Sequence, residues 1–335
     1  MRVLVTGATG FLGTKLVEAL RQDNIDVRAM VRATSAIGHL ETLPVELVEG
    51  SLNPPENLEI ILKDVDAVIH SAGGGWFKGK DSFYENNTRT TEHLLDAWKA
   101  VGCSGKKLIL ISSQAAAGPA RHIDHYPKEE ETLPGSLYGK SKLAAEQLAL
   151  ELKDHASVII LRPPALYGPG DTRLLPLFKA IARGFAPIPA AGRTMSFLHV
   201  EDCVSAVCLA LRQGPKSNNI YALNDGFTYS VNEVIDTLAQ VVGGSPLVVR
   251  LPTSLLMTAG LCSEWWSLLR GHDVLLSRDK VQDMVSPFWQ SDAQRFVEDF
   301  AWEPQFDFRT GAAQTADWYR RHGVLRGSLA QEGSP

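Results

Sequence analysis

The chain has 335 residues, of which 44% are hydrophobic and 21% charged, enough for one large α/β domain with an appended lobe or for two domains. A net charge of −5 without any basic tract excludes nucleic acid as an expected partner. The four cysteines have no CxxC or paired spacing, and no signal peptide precedes the first predicted strand, so we expect a cytoplasmic protein without disulfides or a metal centre.

The first predicted strand runs into a turn that contains three glycines. Val3, Leu4 and Val5 form a short apolar run, and Thr14–Leu20 has the periodicity of a helix. Unpaired N–H groups and the helix dipole converge at such a turn, which suits the pyrophosphate of a dinucleotide. An ordinary strand-to-helix turn is the alternative, but the position directly after an N-terminal strand favours dinucleotide binding. The expected cofactor contacts are Thr6, Gly7, Thr9, Gly10, Phe11, Leu12 and Gly13.

The second predicted strand, Asp26–Val31, ends without the acidic residue that would bind the adenosine ribose hydroxyls of NAD. It is followed by Arg32, which removes the repulsion of a 2′-phosphate and offers it a bidentate donor. A solvent-facing arginine after a strand is the alternative interpretation. The pattern therefore predicts NADP rather than NAD, with Arg32 on the phosphate.

Small residues follow another strand further along the chain. The predicted elements of this part are a strand at Val45–Val48, a helix at Leu58–Leu62 and a strand at Asp66–Ile69. Ser71, Ala72 and Gly73 come next, and a cofactor can lie across such small residues at a strand end. The segment Gly74–Phe77 then brings two aromatic side chains, either as a hydrophobic wall for a substrate or as the anchor of a loop.

Helices and strands continue to alternate up to residue 165. The predicted elements are a helix at Asn87–Trp98, a strand at Lys107–Ile111, a helix at Tyr138–Leu152 and a strand at Val158–Leu161. The alternation predicts an α/β fold with a doubly wound, Rossmann-like parallel sheet that binds ligands at the carboxyl ends of its strands. Ser113 and Pro163 follow two of those ends.

Beyond residue 165 proline and glycine become frequent, which predicts a smaller and more irregular substrate lobe. The stretch Phe197–Leu211 returns to a strand followed by a helix, and we expect it to pack back on the main sheet. The predicted dinucleotide-binding domain therefore comprises residues 1–165 and about 194–225, and the lobe about 166–193 and 226–325. The tail, 326–335, has the composition of a disordered segment.

Tyr138 and Lys142 lie four residues apart and therefore on one face of the predicted helix. A tyrosine has a pKa of about 10 and is a poor acid or base at neutral pH, but a lysine held nearby favours the phenolate and lowers that pKa. Ser113, at the end of a neighbouring strand, can hold a carbonyl oxygen against the tyrosine. An exposed helix face is the alternative for the tyrosine and lysine alone. Together with the glycine turn, the three residues indicate an active site.

These segments together resemble the extended branch of the short-chain dehydrogenase/reductase superfamily over nearly the whole chain. The matching pieces are TGATGFLG at Thr6–Gly13, HSAG within Asp66–Gly73, Ser112–Ser113, YGKSK at Tyr138–Lys142, LRPPALYGPGD at Leu161–Asp171 and FLHVEDCVSA at Phe197–Ala206. The resemblance implies hydride transfer between nicotinamide and a carbonyl or alcohol carbon, with Tyr138 as acid/base and Lys142 on the nicotinamide ribose. It also implies that Ser113 is the catalytic serine and that Asn87 supports the active-site lysine.

Two positions set the chain apart from the nucleotide-sugar enzymes of this superfamily. Those enzymes carry an asparagine and an arginine for the substrate diphosphate where this chain has Ala165 and Met195. Arg193 would substitute only if its loop were shifted. The sequence of Leu161–Asp171 instead resembles that of 3β-hydroxysteroid dehydrogenases and of the dihydroflavonol-reductase-like group, whose substrates are apolar ketones or alcohols.

The resemblance therefore implies an NADP-dependent oxidoreductase that acts on a hydrophobic, steroid-, flavonoid- or polyketide-like substrate. A nucleotide-sugar epimerase or dehydratase with tightly bound NAD(P) is the first alternative. A non-catalytic, cofactor-bound scaffold or redox sensor is the second, and the presence of Ser113, Tyr138 and Lys142 speaks against it.

The apolar segment Leu251–Leu269 contains Pro252 and Glu264, and a break is expected at Gly260, which argues against a membrane span. The segment is therefore a core or dimer helix, a lid over an apolar substrate, or a helix on the membrane surface. We expect a homodimer, as is usual in the resembling family, and the last alternative would add peripheral membrane contact.

Overall fold

The computed structural model describes residues 1–74, 81–128, 131–190, 192–214, 219–270 and 277–325. Of residues 267–270 only the backbone is described. The predictions for the aromatic pair Trp76 and Phe77 and for the tail 326–335 therefore lie outside the described residues.

Short strands alternate with helices along most of the chain. The strands are β1 (Arg2–Thr6), β2 (Asp26–Val31), β3 (Glu46–Glu49), β4 (Ser51–Leu52), β5 (Pro55–Glu56), β6 (Ala67–His70), β7 (Lys107–Ile111), β8 (Ser157–Arg162), β9 (Ala165–Tyr167), β10 (Phe185–Pro189), β11 (Thr194–Met195), β12 (Phe197–His199), β13 (Ile220–Ala222), β14 (Tyr229–Ser230), β15 (Leu247–Leu251) and β16 (Phe288–Trp289). The α-helices are α1 (Phe11–Gln22), α2 (Leu58–Leu62), α3 (Thr90–Val101), α4 (Gln114–Ala117), α5 (Leu137–Leu150), α6 (Leu175–Ala182), α7 (Val200–Gln213), α8 (Val231–Val242), α9 (Thr253–Arg270), α10 (Arg278–Val285), α11 (Gln294–Phe300) and α12 (Phe308–Arg321).

Seven strands form the main sheet, in the order β13-β8-β7-β6-β1-β2-β3. All of its neighbouring pairs are parallel. The interior strand β1, between β6 and β2, is buried on both faces, with Val3, Leu4 and Val5 fully inaccessible to solvent, as expected for a parallel sheet covered by helices. The predicted Rossmann-like parallel sheet is confirmed.

Helices cover both faces of this sheet. On one face α1 and α7 pack through residues such as Leu16 and Val207, and Cys203 and Cys208 are buried in the same layer as small apolar side chains. On the other face α2, α3 and α5 pack through residues such as Leu62 and Trp98. The sheet is therefore wound on both sides, and its strands end at one common edge.

The lobe has a core of its own, in which α6, α8 and α12 enclose a cluster of aromatic rings. Phe197 and Phe308 are stacked with ring centroids 4.3 Å apart, and Tyr167 lies edge-on to Phe197 at 5.9 Å. Because Phe197 belongs to β12 while the adjacent Leu198 is buried in the layer beside the main sheet, this short strand joins the two cores.

Three elements differ from the sequence prediction. The predicted helix at Asn87–Trp98 begins earlier, as a π-helical turn at Tyr84–Arg89 that continues into α3. The loop before α5 contains the short helix α4. The expected break at Gly260 is wrong: α9 continues through it, and Ser277 and Arg278 pack so closely there that a Cβ on Gly260 would lie 3.1 Å from their main chain.

A membrane span would require a helix that is both long and apolar. Not one helix among the described residues meets this requirement for crossing a bilayer. The segment Leu251–Leu269 instead forms β15's last residue and most of α9, which packs on α10.

Candidate active site

The glycine turn joins β1 to α1 at the centre of the sheet edge. Gly7 has a φ of +68°, and a Cβ there would lie 2.7 Å from the Ala72 nitrogen. A Cβ on Gly13 would lie 2.0 Å from the Gly7 oxygen. Both positions therefore require glycine. The N-cap of α1, Gly10, offers no side-chain acceptor to the first helical turn, so this turn presents free N–H groups as an anion site does.

His70 is held between two threonines below the glycine turn. Its Nδ1 lies 2.7 Å from Thr6 Oγ1 and its Nε2 3.1 Å from Thr91 Oγ1, while the Ala72 N–H donates to Thr6 Oγ1 at 3.3 Å. Burial lowers the pKa of His70 to about 3, so this imidazole is neutral at physiological pH. The chain of contacts fixes the end of β6 against the end of β1.

Tyr138 lies in the first turn of α5 and is largely buried. Ser136 caps this helix by accepting from the Gly139 N–H at 3.1 Å. A Cβ on Gly139 would lie 2.3 Å from the Ala115 oxygen, so the glycine lets α5 approach α4 and its N-cap, Ser113. The Ser113 hydroxyl lies in the same cavity wall as Tyr138 and lowers the pKa of that tyrosine. The fold thus brings the predicted serine and tyrosine together.

Lys142 follows one helical turn later and is buried, with its Nζ donating to the Ile111 oxygen at 2.7 Å. Burial lowers the pKa of Lys142 to about 8, and the charge of Glu146 opposes this shift. Burial raises the pKa of Tyr138, which Ser113 and Arg173 in turn lower. The expected lowering of that pKa by Lys142 is therefore not seen, because desolvation of the phenol dominates and the charges that act on it are those of Arg173 and Asp283.

Asn87 is buried in the π-helical turn before α3. Its amide nitrogen donates to Gly74 O at 3.1 Å and to Ser141 Oγ at 3.1 Å, and its Oδ1 accepts from the Gly74 N–H at 3.1 Å. A Cβ on Gly73 would lie 2.6 Å from Asn87 Oδ1 and 3.6 Å from Lys142 Nζ. Asn87 and Lys142 therefore flank the same glycine, and the asparagine holds the main chain beside it.

Sequence reasoning missed an ion pair beneath the site. Arg162, at the end of β8, donates from Nε and NH2 to the two carboxylate oxygens of Glu146, at 2.9 and 2.6 Å. Ser112 donates to the same carboxylate. Both charged side chains are at most 2% exposed. The ion pair is notable because both residues are buried. The sequence alone shows Arg162 as an ordinary arginine at a strand end and Glu146 as an ordinary polar residue of a helix.

A cavity of about 380 Å³ opens at this sheet edge. Most of the predicted site residues line it, namely Gly7, Gly10, Phe11, Leu12, Gly13, Ser71, Gly73, Ser113, Tyr138, Lys142 and Pro163. The remaining predicted residues, Thr6, Thr9, Arg32, Ala72 and Asn87, are not part of its wall. Arg32 is exposed at the end of β2, where its main-chain N–H donates to Ser35 Oγ at 3.1 Å.

Segments beyond residue 170 supply another part of the wall, and apart from Arg193 and Met195 the sequence analysis did not connect them with the site. These residues are Arg173, Arg193, Met195, Ser196, Asp279, Lys280, Asp283, Met284 and Trp289. The wall therefore combines apolar, positively charged and acidic side chains. Arg193 is among the residues that line the cavity. The helix α10 has a polar sequence typical of a solvated surface, so no local signal could have placed it at the cavity.

The free N–H groups of the glycine turn, with Ser113, Tyr138 and Lys142 in the same cavity, define an enzyme that uses a dinucleotide for oxidation or reduction. The chain belongs to the NAD dependent epimerase/dehydratase family, whose family model matches residues 3–223. This family lies within the extended short-chain dehydrogenase/reductases, as the resemblance predicted. The chain is therefore an enzyme of the NAD(P)-dependent reductase and epimerase class.

Named relatives include both reductases and epimerases. The chain is 32% identical over 327 residues to a ceramide reductase of Caulobacter vibrioides, covering 96% of each chain. It is 27% identical to a putative dihydroflavonol 4-reductase of Synechocystis, covering 96% of this chain and 95% of the relative. It is 27% identical to a UDP-glucose 4-epimerase of Vibrio cholerae, covering 94% of each chain. The crystal structure of gox2253 superposes with a TM-score of 0.79 at 27% identity, covering 97% of this chain and 99% of that one.

Proposed function

We propose that this enzyme is an NADP-dependent reductase of a ketone on a hydrophobic substrate, with Tyr138 as the proton donor. The observation that carries the proposal is that Ser113, Tyr138 and Lys142 line one cavity together with the glycine turn. The names of the ceramide and dihydroflavonol reductases support a carbonyl on an apolar molecule as the reacting group.

The residues of the turn fit a dinucleotide because any side chain at Gly7 or Gly13 would collide with the main chain and fill the cradle. In the proposed complex the first turn of α1 holds the pyrophosphate, and Ser71 and Gly73 lie along the cofactor. Lys142 holds the nicotinamide ribose. The reduced nicotinamide supplies a hydride to the carbonyl carbon when it is bound.

The protein's part in the reaction is to give the carbonyl oxygen a proton. Burial raises the pKa of Tyr138, so its phenol is protonated at neutral pH, which is the form that reduction needs. Ser113, which lines the same cavity as the tyrosine, would hold the carbonyl oxygen within reach of the phenol. Tyr138 can therefore give its proton to that oxygen.

The substrate specificity is assigned from the wall of the cavity. Phe83, Met195, Met284 and Trp289 give it apolar surface next to Tyr138. The two positions that bind a diphosphate in nucleotide-sugar enzymes hold Ala165 and Met195, which lack the donors for it. These features favour an apolar substrate over a nucleotide sugar.

The proposal is tested by following NADPH oxidation with a panel of apolar ketones, including an N-acyl 3-oxo lipid, a steroid and a flavonoid. We expect turnover of at least one of them. Tyr138→Phe should lower kcat by about 10²–10⁴ because it removes the proton donor. The exposed Tyr126→Phe serves as the matched control and should keep full activity. Full activity of Tyr138→Phe would contradict the assignment.

A nucleotide-sugar epimerase or dehydratase is the second candidate. The presence of Arg193 in the cavity wall and the similarity to a UDP-glucose 4-epimerase favour it. The same protein is therefore incubated with UDP- and GDP-sugars. Conversion of a sugar without net change of the cofactor, and no oxidation of NADPH by ketones, would replace the reductase proposal by this one.

A further inference from the structure

Three positively charged side chains line the part of the cavity that the lobe closes. Arg173 precedes α6, Arg193 precedes β11, and Lys280 lies in the first turn of α10. Lys280 and Arg173 are also accessible to solvent, whereas Arg193 is partly buried. Burial lowers the pKa of Lys280, and the charges of Arg173 and Arg193 lower it further while that of Asp283 raises it.

Arg193 is the least exposed of the three and lacks the partners that an enclosed charge normally has. Among the described residues, neither Arg193 nor Lys280 has a carboxylate oxygen within the 4.0 Å of an ion pair. Within that same part of the chain Arg193 donates only to the main-chain oxygen of Met284, and its buried Nε has no hydrogen-bond partner. The exposed Arg173 reaches Asp171 at 4.0 Å and lies over the Phe11 ring, 6.0 Å from its centroid.

Two carboxylates also line this wall. Asp279 accepts from the Leu137 N–H at 2.5 Å and from the Tyr138 N–H at 3.2 Å. Burial raises the pKa of Asp283 to about 6, and the charge of Lys280 opposes this shift. Asp279 therefore binds the positive end of α5, and its charge is only partly available to the three cations.

We propose that Arg173, Arg193 and Lys280 form a subsite for an anionic group, a carboxylate or a phosphate, which the substrate carries near the carbonyl served by Tyr138. The inference rests on the proposed function, because the subsite and Tyr138 share one cavity. Apolar Met195, Met284 and Trp289 lie beside the cations. The substrate is accordingly an amphiphilic ketone with an apolar chain and one anionic end.

The test is calorimetric binding of three probes of equal chain length, hexanoate, hexyl phosphate and hexanol, to the enzyme saturated with NADPH. Saturation removes the cofactor's own phosphates as competitors. We expect one of the two anions to bind at least about tenfold more tightly than hexanol. Arg193→Met and Lys280→Met should each remove this preference, whereas Arg193→Lys and Lys280→Arg retain part of it. Arg250→Met, on exposed strand β15, is the control and should bind the probes as the unaltered enzyme does.

Preference for hexanoate assigns the group as a carboxylate, and preference for hexyl phosphate assigns it as a phosphate. Equal binding of hexanol overturns the proposal, and so does an unchanged preference in both methionine variants. A loss of NADPH affinity in those variants as large as the loss of anion affinity also overturns it, because the cations would then serve the cofactor. Ketone turnover, measured separately, reports on the proposed function: turnover without anion preference refutes only the subsite.

Discussion

Two opposing influences act on the phenol of Tyr138, and burial is the stronger of them. Desolvation raises the pKa of Tyr138, while the Ser113 hydroxyl and the Arg173 guanidinium lower it. The spacing of Tyr138 and Lys142 correctly predicts that both enter one cavity. It cannot predict the direction of the pKa shift, because that depends on how much water the folded chain removes.

Arg32 is the residue on which the preference for NADP is predicted to depend. Its side chain is exposed and, within the described part of the chain, in no ion pair, so it is free to bind an added phosphate. A hydrogen bond to a charged group contributes about 1.5–3 kcal/mol, so Arg32→Ala should raise the Kd for NADPH about 10–100-fold. The Kd for NADH should hardly change, since NADH lacks the 2′-phosphate.

The measurement is titration of intrinsic fluorescence with each cofactor. Arg183→Ala removes another exposed arginine, at the end of α6, and serves as the matched control. If Arg32→Ala weakened NADPH and NADH binding to the same degree, Arg32 would be a solvent-facing residue and the basis for choosing NADP would be lost.

At the scale of elements, α10 is the link between the lobe and the helix of the tyrosine. Asp279 caps α5 from outside, and Lys280, Asp283 and Met284 of the same helix face the cavity. Behind α10 lies α9, whose Glu264 accepts from the Arg278 main-chain N–H at 2.7 Å and from its Nε at 2.9 Å. The position of α9 therefore determines where the cavity wall stands.

Gly260 provides a test of this arrangement. A Cβ at this position would lie 3.1–3.2 Å from the main chain of Ser277 and Arg278, so Gly260→Val should push α10 away from α9. Overpacking costs about 1–3 kcal/mol of unfolding free energy. We expect a lower Tm, roughly 2–4 °C per kcal/mol, and a higher KM for the ketone, with the affinity for NADPH unchanged because the glycine turn lies elsewhere.

The matched control is Ala259→Val, which adds a β-branched side chain to the exposed neighbouring position of the same helix. Both variants are compared by thermal denaturation and by steady-state kinetics. Equal effects of the two substitutions on KM would show that the contact of α9 with α10 does not influence the cavity.

The sequence predicts the elements of the main sheet well, because each is a local pattern. The predicted bounds of β2, α2 and β7 agree with the structure at both ends. The role of α10 could not be predicted, since its polar residues face a cavity formed by segments more than a hundred positions apart in the chain. Likewise, the packing of Gly260 against the main chain of Ser277 exists only in the folded chain, and helix propensity, which marks a glycine as a weak point, does not include it.

At the scale of the whole molecule, two buried aspartates tie the sheet to the lobe. Asp202 of α7 accepts from the main-chain N–H groups of Gln305 and Phe306, at 2.8 and 3.1 Å. Asp225, just after β13, accepts from the Tyr229 hydroxyl at 2.9 Å. That hydroxyl in turn accepts from the Phe308 N–H, at the start of α12, at 3.0 Å. The two halves of the cavity wall are therefore held together by buried polar contacts.

The exposed apolar surface of α9 bears on how the chain assembles. Exposed Leu255, Leu261 and Trp265 lie on α9 and fit either a second copy of the chain or a membrane surface. The homodimer and the peripheral membrane contact therefore stay predictions. The predicted domain boundaries also stay predictions, although β12 lies between the two cores where a boundary was expected.

Through Asp225, the contact between the main sheet and the lobe is expected to depend on pH. Burial raises the pKa of Asp225 to about 7, from the 3.8 of an ordinary aspartate. Between these two values the folded protein binds more protons than the unfolded chain, so the contribution of Asp225 to the free energy of unfolding falls as the pH rises. The contribution of Asp225 to stability is fully present below the pKa of this group in the unfolded chain, 3.8. It is lost as the pH rises through the pKa in the folded protein, about 7.

Asp225→Asn keeps an acceptor for the Tyr229 hydroxyl but cannot ionise, and should therefore escape this loss. We expect the difference in Tm between the variant and the unaltered protein to shift in favour of the variant from about pH 5 to about pH 8, by a few degrees, because one pKa unit corresponds to about 1.4 kcal/mol. Thermal denaturation at both pH values measures it, with the exposed Asp154→Asn as the control that should show no such shift. A difference that stayed constant over this range would mean that Asp225 is ionised in the folded protein throughout, and the pH sensitivity of the junction would have to come from other groups.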